Sequence, residues 1–304
     1  AESRPKVFIF TYSGLRNSES IDEKGRQCIP RFWQEIKPHG VLYRSVTDRN
    51  LQFHIPAVQS INTGLIHTVY YEETAPTVFQ YVRKKFDLPR EKIWSFGHWH
   101  ENTFACRTNG FSEDTFPYFF GVIDIRIPGP LKSILTDAEI NRVISCRRLR
   151  EKNISRWPLW DTIGKVQFST FRKVLIHFKP DFVHYVLNNT DCAHYGTFAR
   201  YVSAIREADE QIYELWQHIE NDPYYKGSTY FIITSDHQRN TYYMQHDQYN
   251  RPRKTWLFIF GPGIRSGAEI ERDIFHTDIF ATVAEILQLE THEHEGAVLW
   301  DCFG

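Results

Sequence analysis

Short apolar runs recur along this 304-residue chain and alternate with stretches of helical periodicity, a pattern that few folds accommodate. Lys6–Thr11, Val41–Val46, Lys92–Phe96, Phe182–Leu187, Tyr230–Ile233 and Thr255–Phe260 each read as a strand with little polar character. Between them lie predicted helices. Ile29–Ile36 has Pro30 at a helix start, and Pro56–Thr63 begins just after His54 and is closed by Gly64. Thr77–Phe86, Thr136–Lys152, Thr162–Phe178 and about Asp278–Leu289 follow the same logic. Phe198, Tyr201, Ile205, Ala208, Ile212, Leu215 and Ile219 recur at three- and four-residue steps, an amphipathic helix of about six turns. Strands alternating with helices imply an α/β protein, a mainly parallel sheet covered on both faces. A single domain over residues 1–304 is expected, with a less regular insertion at about 100–180.

Charge and composition exclude several classes. Thirty-six basic residues against 37 acidic ones give a formal charge of −1, so no global field recruits a nucleic acid polymer or an anionic membrane surface. An anionic substrate must be held locally. No apolar run approaches the roughly 18 residues of a membrane span. Five cysteines (Cys28, Cys106, Cys146, Cys192, Cys302) lack CxxC spacing, which argues against a thiolate zinc site and a disulfide-dense scaffold. The chain begins Ala-Glu-Ser, as a chain does after signal-peptide removal, so a periplasmic or extracellular location is expected.

The chemistry gathers where strands end. The first predicted strand leads into Tyr12-Ser13-Gly14, a middle one into Asp191-Cys192-Ala193-His194, and a later one into Asp236-His237. In a parallel sheet these ends share one edge, where α/β proteins hold ligands. His246, in the loop beyond Asp236-His237, can reach the same edge. Carboxylate and imidazole are the donors a divalent transition metal takes. Asp191, His194 and His246 form one expected metal site, and Asp236 with His237 the core of a second.

Taken in order, SGLR (Ser13 to Arg16), IPAVQSINTG (Ile55 to Gly64), NNTDCAHYG (Asn188 to Gly196), ITSDH (Ile233 to His237), QHD (Gln245 to Asp247), FIFGPGI and DIFATVAEIL resemble the alkaline phosphatase superfamily, in particular its nucleotide pyrophosphatase/phosphodiesterase and sulfatase-like branches. The resemblance implies a three-layer α/β/α sandwich, a first metal on Asp191, His194 and His246, and a second on Asp236 and His237. It also exposes departures. Members usually carry an Asp ligand where this chain has Ser13, and a Thr or Ser nucleophile where it has His54. The Asp and His of the middle motif are normally four apart, and Asp191 and His194 are three apart.

Without the nucleophilic hydroxyl the family's covalent route is closed. His54 is itself a good ligand, so the second site is expected to hold His54, Asp236 and His237, with zinc favoured and iron or copper as alternatives. Hydrolysis of a small anionic phosphate, phosphonate or sulfate ester by metal-bound water is the leading functional reading. Redox chemistry at iron or copper, and a non-catalytic metal-binding protein, are the competing ones. Ser13 is a candidate weak ligand or substrate hydrogen-bond donor. His98 and His100 follow a strand and are candidates for the substrate pocket, His100 above all; His292 and His294 read as part of a solvated acidic tail. Cys192 reads as buried filler.

Overall fold

The computed structural model describes residues 4–69, 75–97, 116–122, 127–151, 157–246 and 254–304. The apolar runs form strands β1 (Lys6–Tyr12), β2 (Val41–Thr47), β3 (Ile93–Gly97), β5 (Phe182–Leu187), β6 (Thr229–Ser235) and β7 (Lys254–Phe260), joined by β4 (Tyr118–Gly121), β8 (Ala268–Ile270) and β9 (Ile274–Phe275). They assemble in the order β4-β3-β5-β1-β6-β7-β2-β8, with β9 also on β2. Side chains alternate across the sheet. Phe8, Phe10 and Tyr12 of β1 enter one core and Val7 and Ile9 the other, so the central strand is buried along its whole length.

Helices α1 (His54–Thr63), α2 (Val78–Phe86) and α7 (His276–Ile286) supply the Val7 side through Ile61, Phe79 and Phe280. Helices α5 (Trp157–Phe178) and α6 (Phe198–Asn221) supply the Phe8 side through Phe171, Ile205 and Ile212. Two shorter helical segments, α3 (Gly129–Ile134) and α4 (Asp137–Glu151), precede α5. The result is the expected three-layer α/β/α sandwich. Gly64 ends α1 in the left-handed region (φ 72°), the helix stop its position implies.

The sheet is mainly parallel, and among the described strands β7 alone runs against its neighbours β6 and β2. Parallel succession needs a long crossover, usually helical, and the described residues between β6 and β7 form no helix, so the chain turns back antiparallel. Strand β4 lies in a stretch that reads as turn-rich; it is short, follows Pro117, and owes its pairing to β3. The predicted helix at Ile29–Ile36 forms as a short π-helical segment, Phe32–Ile36, that runs on into the 3-10 turn Lys37–His39.

That segment is fixed from outside. Asp209 of α6 accepts backbone hydrogen bonds from Arg31 N (2.7 Å) and Phe32 N (2.9 Å). Burial pushes its carboxyl up to about 7 despite those donors. An acid with a raised folded-state pKa holds its proton more tightly when folded. Its contribution is therefore complete below the unfolded value of about 4 and is lost as pH rises through about 7. Urea denaturation should show wild type losing stability relative to Asp209→Asn between pH 4 and pH 8, by on the order of a few kcal/mol. A pH-independent gap would refute this.

Candidate metal centre

Strands β5, β1 and β6 are adjacent and parallel, so their C-terminal ends open onto one edge. From β1 the chain runs into Ser13 and Gly14, from β5 into the turn Asn188–His194, and from β6 into Asp236 and His237. His54, the first residue of α1, enters from the opposite layer. The loop after β6 folds back through an isolated bridge between Arg239 and His246, which brings His246 over the same edge. Arg16 of the SGLR motif latches this loop: its guanidinium pairs with Glu19 and donates to the carbonyls of Asn240 (2.9 Å) and Thr241 (2.8 Å).

All six expected ligands meet here. His54 is the hub, with Nδ1 2.5 Å from Asp236 Oδ2 and Nε2 3.1 Å from Asp191 Oδ1, so one imidazole spans both carboxylates. Burial would lower its pKa, but Asp191 and Asp236 outweigh burial and lift it to about 10. Asp236 is fully buried; its Oδ1 accepts from Gly14 N (2.8 Å) and His237 N (2.7 Å). Burial favours its neutral form, yet His237, His54 and the Gly14 amide hold it below the usual carboxylate range.

The grouping differs from the one expected from chain order. His54, His237 and His246 can place one ligand atom each within 4.8 Å of one another, and so can His54, Asp191 and His194. His246 therefore sits with His237, their rings 4.5 Å apart, and His54 belongs to both sets. The three-residue spacing of Asp191 and His194 does not separate them: the tight turn carries both, with His194 Nε2 3.9 Å from Asp191 Oδ1.

The donor chemistry can be tested atom by atom. His237 Nδ1 lies 2.8 Å from the Gln238 carbonyl oxygen and must donate to it, which leaves the lone pair on Nε2. His246 Nε2 is buried with no hydrogen-bond partner among the described residues. Burial, then the neighbouring His237, His54, Arg239 and His194, all drive His246 toward the neutral ring. A neutral imidazole with an orphaned buried nitrogen is what a metal ion satisfies. The cluster around His54, His237 and His246 therefore fits a transition metal, which His54 would join by giving up one of the two ring protons that Asp191 and Asp236 favour.

Arg239 is the residue that sequence reasoning missed. Its side chain has no exposed surface. Nε donates to Gly14 O (2.9 Å), Nη1 to His194 Nε2 (3.1 Å), and Nη2 to Asp191 Oδ1 (3.0 Å) and Ser13 O (3.1 Å). The available signal was an arginine two residues beyond a strand-end Asp-His pair.

Ser13 is fully buried; its Oγ donates to Asp191 Oδ1 (2.9 Å) and lies at nearly equal distance from both ring nitrogens of His54, 3.0 and 3.1 Å. It faces the ring edge between the nitrogens and is not aligned on one lone pair as an activated nucleophile requires. Cys192 is buried and donates weakly to the Arg200 carbonyl, and burial pushes its thiol up to about 12. His292 is half-buried, with Nδ1 2.8 Å from the Tyr81 hydroxyl and Nε2 2.9 Å from the Thr63 carbonyl oxygen, so it is a packing residue, not a solvated tail. His98, His100 and Cys106 lie outside the described residues. Among the described residues no helix is long and apolar enough to cross a membrane.

The Metalloenzyme superfamily model matches residues 166–291, the segment that carries Asp191, His194, Asp236, His237 and His246. No curated protein matches the chain in sequence. Solved structures similar to it include wild-type alkaline phosphatase PafA, at 9% identity and a TM-score of 0.69, with all of both chains covered. Murine ectonucleotide pyrophosphatase/phosphodiesterase 5 is similar at 10% identity and a TM-score of 0.62, covering 98% of this chain and 100% of that one. The phosphonate monoester hydrolase of Agrobacterium radiobacter is similar at 16% identity and a TM-score of 0.62, covering 99% and 77%. The chain thus has the fold of the alkaline phosphatase superfamily and, from residue 166 to residue 291, the sequence pattern of the Metalloenzyme superfamily.

Proposed function

We propose that the protein is a metal-dependent hydrolase of small phosphate, phosphonate or sulfate esters, acting outside the cytoplasm and using water as the nucleophile. The observation that carries this reading is the convergence of His54, His237 and His246 beside Asp236, with the His246 Nε2 atom buried and without a hydrogen-bond partner among the described residues. Imidazole donors suit zinc, iron and copper, of which zinc is favoured. Solved structures of the same fold include a phosphodiesterase in complex with AMP and a phosphonate monoester hydrolase, which supports an anionic ester as substrate.

A divalent ion held there supplies Lewis acidity toward an ester oxygen and a means of activating water at neutral pH. The chain's own groups prepare the site. Asp191 faces the His54 ring from Nε2, which would leave Nδ1, 3.1 Å from His237 Nε2, to hold the ion, and the Gln238 carbonyl holds the proton of His237 on Nδ1. Ser13 donates its proton to Asp191, a carboxylate already held by Arg239, and so helps to fix that carboxylate in place. No phospho-enzyme is expected.

The test uses the full chain, stripped with chelator and reloaded with zinc, manganese or ferrous iron, against phosphomonoesters, phosphodiesters, phosphonate monoesters and aryl sulfates. Hydrolysis should appear with metal and vanish with chelator. Intact mass after acid quench and after alkaline quench should show no phosphate adduct. An adduct on Ser13 or His54 would overturn the water route. Inactivity across the panel at full metal occupancy would overturn the hydrolase reading, and recovery of the protein solely in a cytoplasmic fraction would overturn the location.

A further inference from the structure

The two halves of the cluster are not equivalent. On one side, His246 Nε2 and the Nε2 lone pair of His237 have, among the described residues, no hydrogen atom aimed at them by a donor whose role is fixed. On the other, the nitrogen of His194 that faces Asp191 already accepts from Arg239 Nη1, and a guanidinium can only donate. Asp191 Oδ1 accepts from the same guanidinium through Nη2 and from Ser13 Oγ. Asp191 Oδ1 and His194 Nε2, which face each other at 3.9 Å across this position, are both occupied by a cation that belongs to the chain.

We propose that the Arg239 guanidinium permanently takes the place of one metal ion, between Asp191 and His194, so that the centre binds a single divalent ion on the side of His54, His237 and His246. This rests on the metal-centre reading above and narrows it from one or two ions to one.

Three further observations support a built-in cation. Arg239 is held by main-chain carbonyls of Ser13, Gly14 and Thr190, at 3.1, 2.9 and 3.4 Å, which anchor it to the ends of β1 and β5 whatever the side chains of the site do. Space for it depends on a glycine: a Cβ on Gly14 would stand 2.7 Å from Arg239 Nε. Charge also agrees. Among the described residues Asp191 and Asp236 are the carboxylates of the cluster, Ser13 adds none, and the guanidinium neutralises one of the two. A single divalent ion then outweighs the remaining carboxylate only slightly. A second would bring two more positive charges against a buried guanidinium with no further carboxylate among the described residues to meet them, an arrangement that low local dielectric penalises.

Metal stoichiometry decides the matter independently of activity. The full chain, saturated with Zn²⁺ or Co²⁺ and desalted, should carry one ion by elemental analysis and native mass spectrometry, and Co²⁺ should give one saturating optical titration. His246→Ala should take the value from one to below 0.1 ions per chain, an order-of-magnitude loss expected for a direct ligand. His194→Ala should leave it at one. Arg239→Ala, which empties the guanidinium position, should raise it to two where that variant folds. Two ions in wild type would overturn the proposal and leave the metal-centre reading intact. Loss of the single ion in a folded His194→Ala, with retention in His246→Ala, would do the same. Absence of any ion from wild type would sink both.

Discussion

His54→Ala should abolish stoichiometric metal binding and reduce any metal-dependent ester hydrolysis by at least about 100-fold, since even an outer-shell partner of a metal site costs 10–100-fold. The expectation follows from where this ring stands. Both candidate ligand sets include His54, and its two nitrogens face two different carboxylates at 2.5 and 3.1 Å. Alanine would remove a ligand and also the group that keeps Asp191 and Asp236 apart. Breaking a buried ion pair from one side costs about 3–5 kcal/mol, so the metal-free variant should also denature at lower urea. Elemental analysis, kcat/KM on one ester and a circular dichroism spectrum separate the effects. A folded variant that keeps its full complement of metal would show that His54 is a structural spacer.

Much of the architecture is legible because the strands are buried on both faces and so read as uninterrupted apolar runs. Strand direction is less so. Thr255–Phe260 looks the same whether it runs parallel or antiparallel, and only the nature of the connection from β6 decides. Strand β4 is short and lies near the edge of the sheet, where the partner carries most of the specification.

The site shows the same division. Asp191, Asp236, His237 and Ser13 are readable because topology alone brings the ends of β5, β1 and β6 together. Which histidine joins which carboxylate is not readable, because it depends on the rotation of one ring, His54, that reaches both. Arg239 is harder still. An arginine beyond a strand end ordinarily reads as surface, and burying one is costly unless every donor finds an acceptor. Here the acceptors come from residues 13, 14, 191 and 194, which are remote in sequence. Arg16, by contrast, sits in a recognisable motif, and its partners Asn240 and Thr241 explain what the motif does: it pins the loop that carries both Arg239 and His246.

Gly14→Ala is expected to destabilise the protein by about 2–4 kcal/mol and to lose metal, because two penalties fall on one atom. Gly14 has φ +71°, where an L-residue costs roughly 1–2 kcal/mol. Its added Cβ would also lie 2.7 Å from Arg239 Nε and 2.9 Å from His237 Cε1. Neither neighbour can yield freely: Arg239 is tied to the Gly14 carbonyl, and His237 to the Gln238 carbonyl. The Gly14 amide meanwhile donates to Asp236 Oδ1, so a backbone shift that relieved the clash would drag on the carboxylate that faces His54. Gly227 provides the control, since it has φ +70° and an added Cβ there meets nothing within 4 Å. Gly227→Ala should therefore show the backbone penalty alone and retain full metal. If urea midpoints and metal content of the two variants coincide, the close packing of Gly14 against Arg239 and His237 is not what holds the centre in shape.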